Sequence, residues 1–347
     1  MSEVAGGAGP IFESGALPLI TAESFETLAA EWAGLHRSIP NALPFAHPSW
    51  HEVWLRHCGG DAVPVFLALR LPGDNEGEHR LIGVIPLDVQ GMEARFLGDP
   101  DLSDHSGALV TPGLEEVASA ALIEWLMEDL VLGLEAWGLP KASSLRPALL
   151  TAANHYGWST SEEIEAITQI VELPGTWEMY VSQLPKKDRH ELRRKLRKLD
   201  SAGEAGFVSA VGPSELEEEV DGLLAMMRES REEKAAFLTS QREAFFRDLA
   251  ATFGANGLAR ISAVTLDGRP VARIFVLESG GTTMLYNSGF DPSLSSLAVG
   301  LLSKALLMRD AIERGQTVVD FLRGRESYKR RLGGHPLDIV RLRLTRA

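Results

Sequence analysis

Cysteine is almost absent from this chain. Cys58 stands alone, so no internal disulfide can form and no cysteine-based zinc cluster can be assembled. Long hydrophobic runs are missing too: no uncharged apolar stretch reaches the 18 or so residues that a membrane-crossing helix needs. The first residues, MSEVAGGAGPIFESG, carry an early acid and no apolar core after a basic start, so a secretory signal is not expected. Positive charge is in deficit, with 34 Lys and Arg against 48 Asp and Glu, a net charge of −14. That balance disfavours bulk attraction to nucleic acid or to an anionic membrane.

Several catalytic signatures are also missing. There is no Walker loop, no Gly-x-Gly-x-x-Gly dinucleotide fingerprint and no Gly-x-Ser-x-Gly elbow. His47, His51 and His57 lie close together, but Pro48 breaks helical register and no acidic or cysteine partner has ligand spacing, so no metal is expected. Asp104, His105 and Ser106 supply the three side chains of a hydrolytic triad, yet adjacent residues cannot converge as one; their loop is a candidate for binding substrate. What is present is ordinary for a cytoplasmic, soluble, globular protein, with 45% apolar and 24% charged residues. A length of 347 residues exceeds what one core usually organises, so two domains are expected.

Hydrophobic periodicity gives each half a similar order of elements. In the first, helices at Ser24–His36 and Pro48–His57 precede strands at Val63–Leu71, Leu81–Val89 and Ala94–Leu97. A long helix, Leu114–Trp137, and a short strand near Ser144–Leu145 follow. In the second, a helix over Thr176–Ala202, a strand at Phe207–Val211 and helical material from Pro213 to Phe253 lead into strands at Leu258–Leu266, Pro270–Glu278 and Thr282–Asn287. A helix at Leu297–Arg314 and a strand at Thr317–Phe321 close it. The boundary is placed between Ser159 and Pro174. The expected organisation is a flexible tail over 1–17, one domain over 18–168 and another over 169–347.

The last third carries the most chemistry. TTMLYNSGF (Thr282–Phe290) runs through a polar turn into a helix, then into TVVDFLRGRESYKRRLGG (Thr317–Gly334). Ser295 or Ser296 is an expected N-cap, and the small side chains around Ala298 and Gly300 let a ligand approach the backbone. Unpaired N–H groups and partial positive charge at a helix N-terminus favour a phosphate. This marks Ser296, Leu297, Ala298, Val299 and Gly300 as candidate cofactor contacts.

These residues resemble a known family. The run from Gly289 to Gly334, with its small-residue helix entry and its DFLRG…YK segment, is similar to the C-terminal half of CelD-like acetyltransferases, tandem GNAT-fold proteins associated with exopolysaccharide or cellulose production. YVSQLPKKDRHELRRKLRKLDSAG (Tyr180–Gly203) resembles the basic helix that opens that family's second domain, and GVIPLDV and FLGDPDLSDHSGALV resemble strands of its first. One departure stands out: the family's Gly-x-Gly pyrophosphate loop is replaced by DPSLSSLAVG, with Gly300 its single glycine. The resemblance implies an α+β protein of two tandem GNAT-like domains, each a mostly antiparallel mixed sheet flanked by helices, the first degenerate and the second an acyltransferase. It implies acetyl-CoA or another acyl-CoA as co-substrate, no metal, and an amine or hydroxyl acceptor such as a sugar. The same tandem fold occurs in transferases that use aminoacyl-tRNA, which keeps that donor open, as well as a non-catalytic scaffold.

Within such a fold, Tyr286, Asn287 and Ser288 would line the gap for the thioester arm. A lysine-like amine is neutral in only about one molecule in a thousand at neutral pH, so a base is expected. Asp320 and Glu326 are the candidate bases and Tyr328 the candidate proton donor to the leaving thiolate. Asp104, His105, Arg273, Arg323 and Lys329 are candidate substrate contacts, with Arg273 an alternative partner for Asp320. One further feature is local: eight Lys or Arg against two acids over 186–198, with Leu192, Leu196 and Leu199 forming an apolar stripe between them. This basic helix is either a solvated face or a docking strip for a polyanion such as a cofactor 3′-phosphate or a tRNA end. It has no interleaved aromatics for base stacking.

Overall fold

The structure is a computed structural model and describes residues 18–73 and 79–346. The tail expected over 1–17 lies outside the described residues. In chain order the elements are β1 (Leu19–Glu23), α1 (Phe25–Ser38), α2 (Pro48–Cys58), β2 (Pro64–Pro72), β3 (His79–Gln90), β4 (Glu93–Phe96), β5 (Leu109–Val110), α3 (Glu115–Glu128), β6 (Gly133–Pro140), α4 (Leu145–His155) and β7 (Ser159–Glu172). Next come α5 (Trp177–Gln183), α6 (Lys186–Asp200), β8 (Ala205–Val211), α7 (Pro213–Ser230), α8 (Glu232–Phe237), α9 (Ser240–Ala255), β9 (Ala259–Leu266), β10 (Arg269–Ser279) and β11 (Thr282–Phe290). The chain closes with α10 (Val299–Glu313), β12 (Val318–Arg323), α11 (Ser327–Arg331) and β13 (His335–Thr345).

The fold is α+β, with two compact units. In the first, strands run in the order β1-β2-β3-β4-β6, with β13 from Ile339 onward antiparallel to β6 and the short β5 beside β3. All neighbours are antiparallel except β4 and β6, which are parallel over Glu93↔Gly133 to Arg95↔Glu135. Helices α3 and α4 bury Leu122, Leu126 and Leu149 against Leu67, Ile85 and Leu342 of this sheet. In the second unit the order is β8-β9-β10-β11-β12, then the Thr168–Glu172 end of β7, and again one parallel pair, β11 with β12, stands among antiparallel ones. Successive residues of a strand face opposite sides. On β10, Ile274 shares a core with Leu302 and Leu306 of α10, whereas Phe275 turns to Phe246 of α9. Helices therefore cover both faces of this sheet.

Four expectations need correction. The apolar run that reads as one helix, Leu114–Trp137, is α3 followed by β6; the helix stops before Leu130, which has φ +58°. Ser144–Leu145 opens helix α4 rather than forming a strand. Thr176–Ala202 is two helices, because Pro185 cannot donate the backbone bond that would continue the first. The units also depart from the expected 18–168 and 169–347 domains: Glu52–Gly60 and Ala166–Thr168 lie in the second unit, and Ile339 onward, most of the last strand, lies in the first. The sequence of that strand, HPLDIVRLRLT, places Val340, Leu342 and Leu344 at period two, all fully buried.

The first unit also holds a histidine cluster. His51 is buried and stacks on Trp32 at 5.1 Å, and His47 packs edge-on to His36 at 5.0 Å. Burial pushes His51 down to about 3 and His47 down to about 4. An unfolded histidine takes up a proton near pH 6.5, whereas these two stay neutral when folded until far lower pH. Stability from them is therefore intact above pH 6.5 and is lost as pH falls through that window, at most about 1.4 kcal/mol per pH unit per group. Urea midpoints at pH 7 and pH 5 check this: the drop is expected to shrink in His51→Phe, and an identical drop in both proteins would contradict it.

Candidate functional site

The parallel pair of the second unit opens partway along. Its register runs Thr282↔Val318, Thr283↔Val319 and Met284↔Asp320, after which β11 continues to Phe290 and β12 to Arg323 with no further pairing between them. Two local devices produce the parting. On β11, Phe275 faces Asn287 while Val276 faces Leu285, so Tyr286 is an extra residue, a β-bulge that turns the strand. Its ring is held by Phe246 and Phe275 at 5.6 and 5.7 Å. On β12, Leu322 adopts φ +55°, a strained conformation for a residue with a Cβ.

Asp320 and Lys329 stabilise that bend. The buried Asp320 carboxylate accepts from the Leu322 amide at 2.7 Å and from the Thr168 hydroxyl. Lys329, 1% exposed, donates to the carbonyls of Leu322 and Arg323 at 3.0 and 2.6 Å and pairs with Glu326 at 3.0 Å. Both side chains are thus occupied by the backbone of the turn. Asp320 does not pair with Arg273, which instead bonds Glu219 of α7 at 2.7 Å.

The helix facing the gap starts later than its sequence indicates. Pro292–Leu297 is a 3₁₀ turn anchored by Asp291, which accepts from the Ser293 amide at 2.8 Å. Ala298 at φ +56° then breaks the turn from α10. The cap is therefore Ala298, not Ser295 or Ser296, and no side chain caps α10. Ala298 turns the chain so that the Val299 and Gly300 amides head the helix, and the Phe290 ring lies close over Gly300. An uncapped end of this kind carries about half a positive charge. Lys198, from the end of α6, donates to the Ser296 carbonyl at 2.9 Å, so the basic helix reaches the same turn. Its stripe is as expected: Leu192 and Leu199 are buried, Leu196 packs against the same core, and Lys187, Arg193, Arg194 and Arg197 are exposed. At its other end, Lys187, His190 and Arg194 line an open groove with Arg330 and Arg331, alongside Asp188 and Glu191.

Beyond the parting, several ionisable groups surround Ser288. Its hydroxyl accepts from Lys304 of α10 at 2.9 Å, and its carbonyl accepts from Lys234 of α8. Burial pushes Lys304 far below the ordinary lysine range and Lys234 down to about 8. Burial also raises the Tyr328 phenol, which stays protonated and can act as an acid. Lys304 Nζ lies 6.0 Å over the Tyr328 ring. Sequence reasoning singled out Tyr286, Asn287, Ser288, Glu326 and Tyr328 but missed Lys234 and Lys304. Lys304 was legible as a charge inside the otherwise apolar VGLLSKALLM.

The first unit has a matching parallel pair, β4 with β6, also three residues long. Trp137 of β6, fully buried, donates its indole N–H to the Phe96 carbonyl at the end of β4 at 2.5 Å, so its ring fills the gap. Glu115 and Glu116 occupy the first turn of α3, where they would repel a phosphate. His105 is buried against Phe45 at 5.7 Å in this unit, and Asp104 lies beside it in the chain. Among the described residues, no group of three His, Cys, Asp or Glu could hold a metal, and no helix is long and apolar enough to cross a membrane.

Comparison with known proteins places a family model on this part of the chain. Residues 186–330 match the family model for the acetyltransferase (GNAT) domain. The matched stretch accounts for most of the second unit. Among solved structures the chain is similar to FemX, at 12% identity over 93% of this chain and 96% of that one, with a TM-score of 0.63. It is also similar to a conserved protein of unknown function from Bacteroides thetaiotaomicron VPI-5482, at 12% identity, 94% and 99% coverage and a TM-score of 0.59. A third is the C-terminal domain of a putative lysylphosphatidylglycerol synthetase from Agrobacterium fabrum, at 11% identity, 92% coverage of both and a TM-score of 0.52. At these identities the likeness is one of fold. No curated protein sequence matches the chain.

Proposed function

We propose that the second unit is an acyltransferase of the CelD-like kind, moving an acetyl or other acyl group from acyl-CoA to an amine or hydroxyl acceptor such as a sugar or cell-envelope precursor. The observation that carries this is the parting of β11 and β12 past Met284↔Asp320 beside the uncapped N-terminus of α10. The diphosphate would sit on the Val299 and Gly300 amides, with Ser296, Leu297 and Ala298 shaping the turn around it. The acyl arm would enter between the strands, along Tyr286, Asn287 and Ser288, where a backbone N–H can stabilise the thioester oxyanion. Holding donor and acceptor in register supplies several kcal/mol, up to about 11. Tyr328 would protonate the leaving thiolate. Glu326 would receive the acceptor's proton, and Arg323 would contact the acceptor. Asp320 and Lys329 would act by keeping β12 bent. The first unit, its own gap filled by Trp137, would bind no donor.

Calorimetry with acetyl-CoA on the intact chain tests this reading. Saturable binding in the micromolar-to-millimolar range is expected; no heat at millimolar acetyl-CoA would leave a non-catalytic scaffold as the better description. A second donor, aminoacyl-tRNA, is favoured by one observation: the exposed basic face of α6 continues into the groove with Arg330 and Arg331. The two readings differ in salt dependence. If the donor is acyl-CoA, affinity is expected to change less than about tenfold between 50 and 200 mM salt; a tRNA held by six to ten phosphate contacts would lose about 10³–10⁵-fold. The same steep loss in binding charged tRNA, abolished by Lys187→Glu with Arg194→Glu, would establish the alternative.

A further inference from the structure

The second unit buries two lysines, and they are provided for differently. Lys329 has carbonyl oxygens and the Glu326 carboxylate around its ammonium, as a buried charge requires. Lys304, 5% exposed, has only hydroxyls: Ser288 Oγ at 2.9 Å and Ser303 Oγ at 3.3 Å. The charged groups that act on it from neighbouring elements are Lys234 of α8 and Arg231 just before it, both repulsive, and Glu326 ahead of α11. Glu326 is itself paired with Lys329. An amine buried without a carboxylate of its own and beside two cations is held in its neutral form. A leucine would fill the same place on α10 at no electrostatic cost. Ser288, its partner, lies on β11 past the last β11–β12 pair, where the strands have parted. A neutral amine hydrogen-bonded to a serine hydroxyl is the arrangement that activates a serine nucleophile, and here it lies where β11 has left β12.

We propose that Ser288 and Lys304 form a nucleophile–base dyad, through which the acyl group passes as a Ser288 ester on its way from donor to acceptor. The proposal rests on the acyltransferase reading for the identity of the donor, and on the dyad geometry for the covalent step. Lys304 Nζ takes the Ser288 hydroxyl proton as Oγ attacks the acyl carbonyl carbon. The tetrahedral adduct then breaks its carbon–sulfur bond, and the thiolate leaves with a proton returned from the Lys304 ammonium, which on this covalent route takes the place that Tyr328 holds in direct transfer. In the second half, the acceptor amine or hydroxyl attacks the Ser288 ester, Lys304 in place of Glu326 removes its proton, and Oγ departs carrying that proton. No oxidant or reductant enters. Lys234, bonded to the Ser288 carbonyl, adds positive charge beside the developing oxyanion, and the Tyr328 ring lies next to Lys304.

The test uses the intact chain with two acyl donors, acetyl-CoA and the activated ester p-nitrophenyl acetate, read by intact mass and peptide mapping. One acetyl group per chain is expected on the peptide holding Ser288 with both donors. Ser288→Ala is expected to remove it with an unchanged melting temperature, and Ser288→Cys to retain it as a thioester. Lys304→Met, a substitution of similar volume, is expected to slow acylation by about 10²–10⁴-fold, as for loss of a general base. A Ser288 adduct from p-nitrophenyl acetate without acetyl-CoA binding would uphold the dyad and remove the acyl-CoA reading. Acetyl-CoA binding with no adduct from either donor, or an adduct that persists in Ser288→Ala, would overturn the dyad and leave the acyl-CoA reading in place.

Discussion

Gly300→Glu is expected to weaken acetyl-CoA binding by at least about 100-fold, roughly 2.7 kcal/mol. Gly300 is the second residue of α10, whose first turn has no capping side chain. A carboxylate placed there would occupy the partial positive charge that the diphosphate needs. Its Cβ would also meet the Phe290 ring, with Cδ1 at 2.9 Å, so the ring must shift. The empty protein gains a favourable charge at a helix start and loses some packing at Phe290, so its melt should shift little, within about 1 kcal/mol. Titration calorimetry beside a thermal melt separates the two effects. Retained affinity would show that the phosphates bind elsewhere.

Lys329→Met should have the largest effect on stability, about 3–5 kcal/mol, the scale for removing one partner of a buried charged network. The ammonium bonds two carbonyls of the bent segment, approaches a third at Gly324 at 3.5 Å, and neutralises Glu326. Without it those oxygens are stranded, and Leu322 loses the contact that keeps it at positive φ. Because β12 would then relax toward β11, acetyl-CoA affinity should fall along with stability. Lys329→Arg is not expected to rescue either quantity, since a planar guanidinium does not fit the lysine's carbonyl cage. Urea unfolding checks this, and a loss below about 1 kcal/mol would contradict it.

Much of the second unit was legible in its sequence because local and tertiary preferences agree there. The meander strands β9 to β11 are short runs rich in apolar and β-branched residues between turn residues, and α6 announces its apolar stripe at Leu192, Leu196 and Leu199. The parting near Asn287 was expected from the family resemblance. Its causes did not: a bulge at Tyr286 and a left-handed Leu322 are choices among backbone conformations that only pairing with neighbours decides. The cap at Ala298 was hidden for a similar reason, since serines at 295 and 296 are better cap formers and a left-handed alanine has no sequence signature. In the first unit, the steady recurrence of apolar residues through Leu114–Trp137 concealed the change from α3 to β6. The exchange of β7 and β13 between units depends on contacts far apart in the chain. Lys304 was visible as a residue, but its pairing with Ser288 requires α10 to lie on β11.

Amide hydrogen exchange with and without acetyl-CoA tests the central claim most directly. Donor binding in the gap predicts slowed exchange at Val299 and Gly300 and at Tyr286–Ser288, with β8 and α7 unaffected. Saturating acetyl-CoA that leaves those amides exchanging at their original rates would contradict the account.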